Sequence, residues 1–297
     1  MKAKKWMSLA LVTVLGLSVL GLTGCDNSSG TDSGTSTETG TTEELTGSIN
    51  VEGSDTIVNT GQAWAEMFME ANPGVMISVK GGGSGAGIAA LINGTVDFAN
   101  ASRDMKQEEI DQAKAAGVDP VEHVIAKDGI SVAVNPANPV TNITIEQLGK
   151  IYRGEITNWK DVGGADKAIV LLSRDSSSGT YEYFKEAVVG KDAEYAKEAK
   201  LLSSNQAIVD EVKGNDAAIG YVGLGYAENA GSEIKVLSVE GITASVDTVL
   251  DGTYPLGRDL YIYSNGQPDG VMKAYLDWIL GSEGQTIVAD QGFVPLQ

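Results

Sequence analysis

Ser173-Arg174-Asp175-Ser176-Ser177-Ser178-Gly179-Thr180-Tyr181 follows the apolar run Ala168-Ile169-Val170-Leu171-Leu172 and precedes a helical pattern through Phe184 and Val188. A buried strand therefore feeds a loop rich in hydroxyls, and that loop opens a helix. Unpaired N–H groups at a helix N-terminus, the positive end of its dipole, hydroxyl donors and one guanidinium fork together suit a tetrahedral oxyanion. The same residue types also make an ordinary N-cap beside a surface arginine, so the stretch by itself supports both readings.

Working outward, the chain alternates strand and helix. Ile49 to Glu52 reads as a strand, Ile57 to Ala71 as a helix, Val75 to Lys80 as a strand and Ile88 to Asn93 as a helix. Val96 to Asn100 and Gln107 to Ala116 repeat the pair. Such alternation implies a mostly parallel sheet with helices on both faces, and ligands of open α/β sheets bind beyond the carboxyl ends of the strands. Gly53-Ser54-Asp55-Thr56, Gly81 to Gly87 and Ala101-Ser102-Arg103 all fall at such strand-to-helix junctions. Further on come a strand at Ile130 to Val134, helices at Ile145 to Tyr152 and Asn205 to Lys213, and a strand at Ala217 to Tyr221. A strand at Leu260 to Tyr263 and helices at Val271 to Leu280 and near Thr286 close the chain. Tyr152 and Trp159 read as core, and His123 as a half-buried strand residue.

Composition narrows the function. The 297 residues are 42% hydrophobic, enough for cores in two lobes, and the formal charge of −19 argues against nucleic acid and anionic membrane surfaces as partners. One cysteine excludes an intramolecular disulfide, and one histidine excludes a His-based metal cluster within a single chain. No cofactor and no metal is expected. Lys2, Lys4 and Lys5 followed by the apolar stretch Leu9 to Leu22 read as an export signal, residues 1–24. Leu22-Thr23-Gly24-Cys25 resembles the bacterial lipobox, so Cys25 is the expected lipidation site, and the protein is expected outside the cytoplasm, anchored to the cell membrane. Residues 25–46 are almost free of core-forming side chains and read as a flexible tether with a reach of roughly 25 Å.

Arg174 with Ser178-Gly179-Thr180 resembles the R-x-x-x-S-G-T element of the PstS family, the phosphate-binding proteins of phosphate ABC transporters. The similarity extends through Gly53 to Thr56, Gly81-Gly82-Gly83-Ser84-Gly85, Val96-Asp97-Phe98, Ile145-Glu146-Gln147-Leu148 and Ala218-Ile219-Gly220-Tyr221-Val222. The resemblance implies an α/β, two-lobed periplasmic-binding-protein-like fold (type II), each lobe a mixed sheet flanked by helices with the ligand in the cleft. It implies lobe 1 from 47–129 plus 254–297, lobe 2 from 130–253, and a hinge at crossings near 128–130 and 252–257. Inorganic phosphate, held by Ser54, Asp55, Thr56, Ser84, Ser102, Arg103, Arg174, Ser178, Gly179 and Thr180, would pass to the transmembrane subunits of an ABC permease. A monomer without enzymatic activity is expected. In many members an aspartate follows Ala-Ser after the Val-Asp-Phe element and accepts the ligand's proton. Here Arg103 stands at that place. Asp55 is the candidate substitute, with capping of the Ile57 helix as its alternative role.

Two other classes compete. Gly81-x-Gly83-x-x-Ala86 between a strand and a helix matches the dinucleotide fingerprint in form. A surface phosphatase would recruit metals through His and carboxylate clusters, and no G-x-S-x-G elbow surrounds Ser178. Another oxyanion-binding or sensory lipoprotein remains open on the residues alone.

Overall fold

The computed structural model describes residues 44–296. The leader, Cys25 and the tether up to residue 43 lie outside the described residues. β1 (Gly47–Gly53) pairs in parallel with β2 (Val75–Lys80) on one side and β3 (Phe98–Ala101) on the other. α1 (Val58–Ala71) and α2 (Ser84–Ile92) supply the crossovers that parallel neighbours require. α3 (Gln107–Ala115) follows β3. The direction then changes, because β10 (Gly257–Asn265) runs antiparallel between β3 and β4 (Pro120–Val134). The sheet is therefore mixed, and on this side the parallel arrangement implied by the alternation is confined to β1, β2 and β3.

β4 is one continuous strand of 15 residues. Its residues 120–129 pair with β10, whereas 130–134 pair antiparallel with β8 (Ala218–Gly223) and 132–134 with β9 (Lys235–Val239). Outside β8 lie β6 (Val170–Arg174) and β7 (Lys200–Leu202), both parallel to their inner neighbour, and β5 (Asn142–Ile143) lies beside β9. The chain thus forms two lobes joined through β4 and the entry to β10.

Period-two alternation assigns each strand face to a separate core. In the first lobe Phe98 and Ile262 pack with Trp64 and Phe68 of α1, and with Tyr275 and Ile279 of α9 (Gly270–Leu280), while Ala99, Tyr261 and Tyr263 face Ile88 and Leu91 of α2. α10 (Ser282–Asp290) closes on α1, where the Trp64 indole donates to the Gly284 carbonyl at 2.8 Å. In the second lobe Val132, Ile219 and Tyr221 pack with Ile151, Tyr152, Trp159 and Phe184. Ala133, Leu172 and Val222 pack instead with Ile208, Val209 and Val212 of α6 (Asn205–Gly214). Tyr152 and Trp159 are core residues as expected: the Tyr152 hydroxyl donates to the Leu172 carbonyl and the Trp159 indole to the Ala217 carbonyl. α4 (Ile145–Tyr152) begins on a capping box in which Thr144 and Gln147 each accept the other's backbone N–H.

Several boundaries differ from the sequence reading for identifiable reasons. α2 starts at Ser84 and not near Ile88. Its glycines signal a loop locally, yet a Cβ on Gly87 would sit 2.3 Å from the Glu52 carbonyl oxygen, so glycine here permits close helix–strand packing. Leu45, assigned to the tether, packs against the first lobe's core. The helix after the hydroxyl loop is short: α5 (Gly179–Phe184) passes into a π turn at Lys185–Val189. No helix among the described residues is long and apolar enough to cross a membrane.

Candidate functional site

The carboxyl ends of β1, β2, β3 and β6 converge where the lobes face each other. Arg174 is the last residue of β6, placed one step earlier than the loop position its sequence implied. Its side chain is 1% exposed. Nη2 donates to Asp55 Oδ2 at 3.0 Å across the cleft and to the Ser203 carbonyl at 3.1 Å. Nε and Nη1 are buried and have no hydrogen-bond partner among the described residues. Burial pushes this guanidinium below its ordinary pKa, Asp55 and the hydroxyls of Tyr221 and Tyr226 pull it back, and the like charge of Arg258 adds to the push. A buried cation with unsatisfied donors is costly, and an anion is the group that relieves it. The backbone of Arg174 is fixed from behind. Its N–H donates to the Tyr221 hydroxyl at 3.4 Å, which also shares a hydrogen bond of 2.6 Å with Ser173 Oγ.

Beside the arginine lies a group of hydroxyls drawn from both lobes. Ser54 Oγ donates to Ser102 Oγ at 2.9 Å, Ser102 Oγ lies 3.3 Å from Ser84 Oγ, and Thr56 Oγ1 lies 2.9 Å from Thr180 Oγ1. Gly179 presses against this group: a Cβ there would stand 2.3 Å from Ser84 Oγ and 2.7 Å from Ser102 Oγ. Ser178 caps α5, accepting the N–H of Thr180 at 3.2 Å and of Tyr181 at 3.4 Å. Those two amides, which the sequence reading offered to an anion, are therefore occupied by the cap. Further contacts join the lobes. Gly85 N–H donates to the Ser177 carbonyl at 3.0 Å, Tyr226 O–H to the Asp55 carbonyl at 3.1 Å, and Lys106 Nζ lies 2.9 Å from Glu182.

Nine of the ten expected residues thus meet in one place. Arg103 is adjacent, with both terminal nitrogens on the Glu109 carboxylate at 2.7 and 2.8 Å and its Nε buried without a partner among the described residues. Burial raises the Glu109 carboxyl, but Arg103 and the Lys106 N–H outweigh that and hold it below its ordinary value. Asp55 does not cap α1: its Oδ1 accepts Gly82 N–H at 3.0 Å while Oδ2 takes Arg174, and α1 begins without a side-chain cap. The rival glycine fingerprint also acquires a different use. Gly83, at φ 93°, precedes α2, and a Cβ on it would stand 2.6 Å from the Ser177 carbonyl of the other lobe. The close approach that glycine allows is to protein, where a dinucleotide site would place a pyrophosphate.

The sequence reading missed Asp128 and Arg258. They face each other on β4 and β10 where the lobes join, both buried. Arg258 Nη2 and Nε donate to Asp128 Oδ2 at 2.7 and 3.0 Å, and Nη1 donates to the Ser102 carbonyl at 2.8 Å. Nη2 also reaches Thr180 Oγ1 at 3.0 Å and Thr56 Oγ1 at 3.4 Å. Burial raises the Asp128 carboxyl, opposed by Arg258 and by the backbone N–H groups of Leu224 and Gly129. The available signal was one charge next to each expected crossing, set beside apolar runs such as Leu260 to Tyr263.

Two α/β lobes on a shared strand, closing hydroxyls and a buried arginine into one cleft, define a binding protein of the two-lobed periplasmic type. Residues 33–283 match the model of the PBP superfamily domain. The chain belongs to this superfamily and, within it, to the PstS family of phosphate-binding proteins. It is 37% identical to the phosphate-binding protein PstS of Staphylococcus haemolyticus, over 98% of this chain and 92% of that one. It is 31% identical to that of Bacillus subtilis, over 97% and 94%. A Clostridium perfringens structure described as a phosphate ABC transporter substrate-binding protein with bound phosphate superposes with a TM-score of 0.77 at 34% identity, covering 84% of this chain and all of that one.

Proposed function

We propose that this chain captures inorganic phosphate between its lobes and delivers it to the transmembrane subunits of an ABC importer. The observation that carries the reading is Arg174, buried where the lobes face each other, with two N–H-bearing nitrogens that have no partner among the described residues. In the proposed complex one of the open N–H groups of Arg174, on Nε or on Nη1, donates to a phosphate oxygen, since the two leave from different edges of the guanidinium. Thr56, Ser84, Ser102 and Thr180 donate to the others, and Gly179 lets the lobes meet. Ser54 and Ser178 orient their neighbours, Asp55 is the counter-charge of Arg174, and Arg103 braces the β3 junction through Glu109. Closure follows binding because only the closed arrangement brings donors of both lobes onto one ligand.

The lobe limits proposed are 47–129 plus 254–297 and 130–253, with the hinge where β4 and β10 cross. Capture is reversible and leaves the ligand chemically unchanged, so the chain works as a carrier and not as an enzyme. A lipid on Cys25 after removal of residues 1–24 would hold a monomer at the outer face of the cell membrane, and the tether would let it turn toward its permease. Calorimetric titration of the purified chain with phosphate, sulfate and a dinucleotide tests the reading. Binding of phosphate, with little or no heat from the dinucleotide, is expected. A chain that ignores phosphate ends it.

A further inference from the structure

The polarity of the hydroxyls in the cleft is fixed from outside it. A hydroxyl carries one hydrogen and two acceptor sites, while a guanidinium only donates. Nη2 of Arg258 spends one hydrogen on Asp128 and directs the other at Thr180 Oγ1 and Thr56 Oγ1. Only one hydrogen can lie between those two threonine oxygens, which are 2.9 Å apart. The second must point elsewhere, and Arg258 cannot accept it. Ser102 and Ser84 form a matching pair. Ser102 Oγ already accepts from Ser54, and Ser84 Oγ already accepts the Ser102 N–H at 3.0 Å, so again one hydrogen is left over. Both pairs therefore present O–H donors to the cleft.

We infer that Arg258, held by Asp128 at the junction of the lobes, is a specificity-determining positioning residue that forces the Thr56 and Thr180 hydroxyls to donate, so that the cleft favours the oxyanion with fewer protons. This rests on the phosphate reading and sharpens it. Phosphate loses its second proton near neutral pH, and the four hydroxyls offer no acceptor for that proton, while the Asp55 carboxylate is engaged by Arg174 and the Gly82 N–H. The pair is built to hold its place. Arg258 lies 5.6 Å over the Tyr183 ring, whose hydroxyl donates to the Gly257 carbonyl at 2.6 Å. The charged and titratable groups around it are Asp128 on β4, Arg174 on β6 with its partner Asp55, Tyr183 on α5, Tyr254 and the flanking ion pair Lys127–Asp259. The chain's one histidine, His123, is bonded to Ser264 near the far end of β10 and does not face it.

The test is phosphate affinity of the purified chain from about pH 6 to pH 8.5, for the parent and for the double variant Asp128→Asn/Arg258→Gln. That pair is neutral like the one it replaces, still hydrogen-bonds to itself, and offers the threonines an amide oxygen that accepts their hydrogens. The parent is expected to bind more tightly as pH rises. The double variant is expected to lose about tenfold at the alkaline end, the scale of one charge-assisted hydrogen bond, and much less at the acid end, which flattens the profile. Thr56→Val and Thr180→Val remove the donors without touching the ion pair, and flattening in these variants is expected too. They decide the matter should the double variant fail to fold. A parent with a flat profile, or variants that keep the parent's slope, whatever their absolute affinity, overturn the inference while leaving phosphate capture standing. A parent that binds no phosphate overturns the function itself.

Discussion

Arg174 and Arg258 are both buried and both paired with an aspartate, yet they are finished differently. Every nitrogen of Arg258 is engaged by Asp128, by the Ser102 carbonyl or by threonine hydroxyls, whereas Arg174 has two nitrogens with no partner among the described residues. Their aspartates differ as well. Asp128 is fully buried and also accepts the Leu224 N–H at 2.8 Å, while Asp55 retains 19% side-chain exposure. A saturated buried cation is part of the scaffold, and an unsaturated one is half of a complex. The comparison therefore separates what each pair does first: breaking the Asp128–Arg258 pair should show foremost in stability, and removing Arg174 should show in affinity alone.

Asp128→Ala should have the largest effect, and on folding. It leaves Arg258 buried without its counter-ion and orphans the Leu224 amide, a loss of about 3–5 kcal/mol of stability, read from denaturant unfolding. A variant as stable as the parent would erase the distinction just drawn. Arg174→Ala should cost about 2–5 kcal/mol of phosphate affinity, because the ligand loses its charge-assisted donor, while the melting temperature stays near the parent's. Removing Arg174 strands no buried charge, since Asp55 has access to water and keeps the Gly82 N–H. Lysine should restore only part of the affinity, as an ammonium cannot hold Asp55 and the Ser203 carbonyl while also donating to the ligand as the planar guanidinium does. Affinity within about twofold of the parent in the alanine variant, well under one hydrogen bond's worth, would remove Arg174 from the site.

This contrast also explains what the sequence made legible. The Arg174 half rests on local signals: an apolar run, a hydroxyl loop and Ser178-Gly179-Thr180 within seven residues of the arginine. Helices such as α4 were legible because the periodicity and the cap chemistry of Thr144 and Gln147 agree. The Arg258 half depends on a partner 130 positions away in sequence, brought opposite by β10 inserting antiparallel between β3 and β4. Lys127-Asp128-Gly129 therefore read as a break between a strand around His123 and another from Ile130, although β4 runs through it unbroken. Nothing in the local pattern states that a buried charge has a distant partner.

Gly179→Ala sharpens the comparison from a third side, because it touches neither ion pair. The new Cβ belongs to lobe 2, whereas the atoms it meets, Ser84 Oγ and Ser102 Oγ, belong to lobe 1. Alanine suits the first position of a helix, so each lobe should fold as before and only their approach is hindered. An overpacking cost of about 1–3 kcal/mol should appear in phosphate affinity, together with a smaller ligand-induced compaction in small-angle scattering. Normal affinity with full compaction would show that the lobes do not meet at this glycine.

The smallest effect belongs to a salt bridge at the rim that joins the lobes. Lys106 and Glu182 stand 2.9 Å apart with side-chain exposures of 40% and 21%, so water and salt reach both groups. The geometry resembles that of Arg174 and Asp55 in crossing the cleft, but the environment is that of a surface pair, where Coulomb gain and side-chain entropy nearly cancel. Closure alone forms this bridge, so its contribution enters affinity and not the stability of either lobe. Glu182→Gln should therefore weaken phosphate binding by about 0.2–1 kcal/mol, and the difference from the parent should shrink as ionic strength rises, because exposed pairs are screened. Titrations of the two proteins at low and high sodium chloride decide it. A loss as large as that of Arg174→Ala, or one that persists undiminished at high salt, would mean that the rim pair is desolvated on closure and belongs with the buried arginines after all.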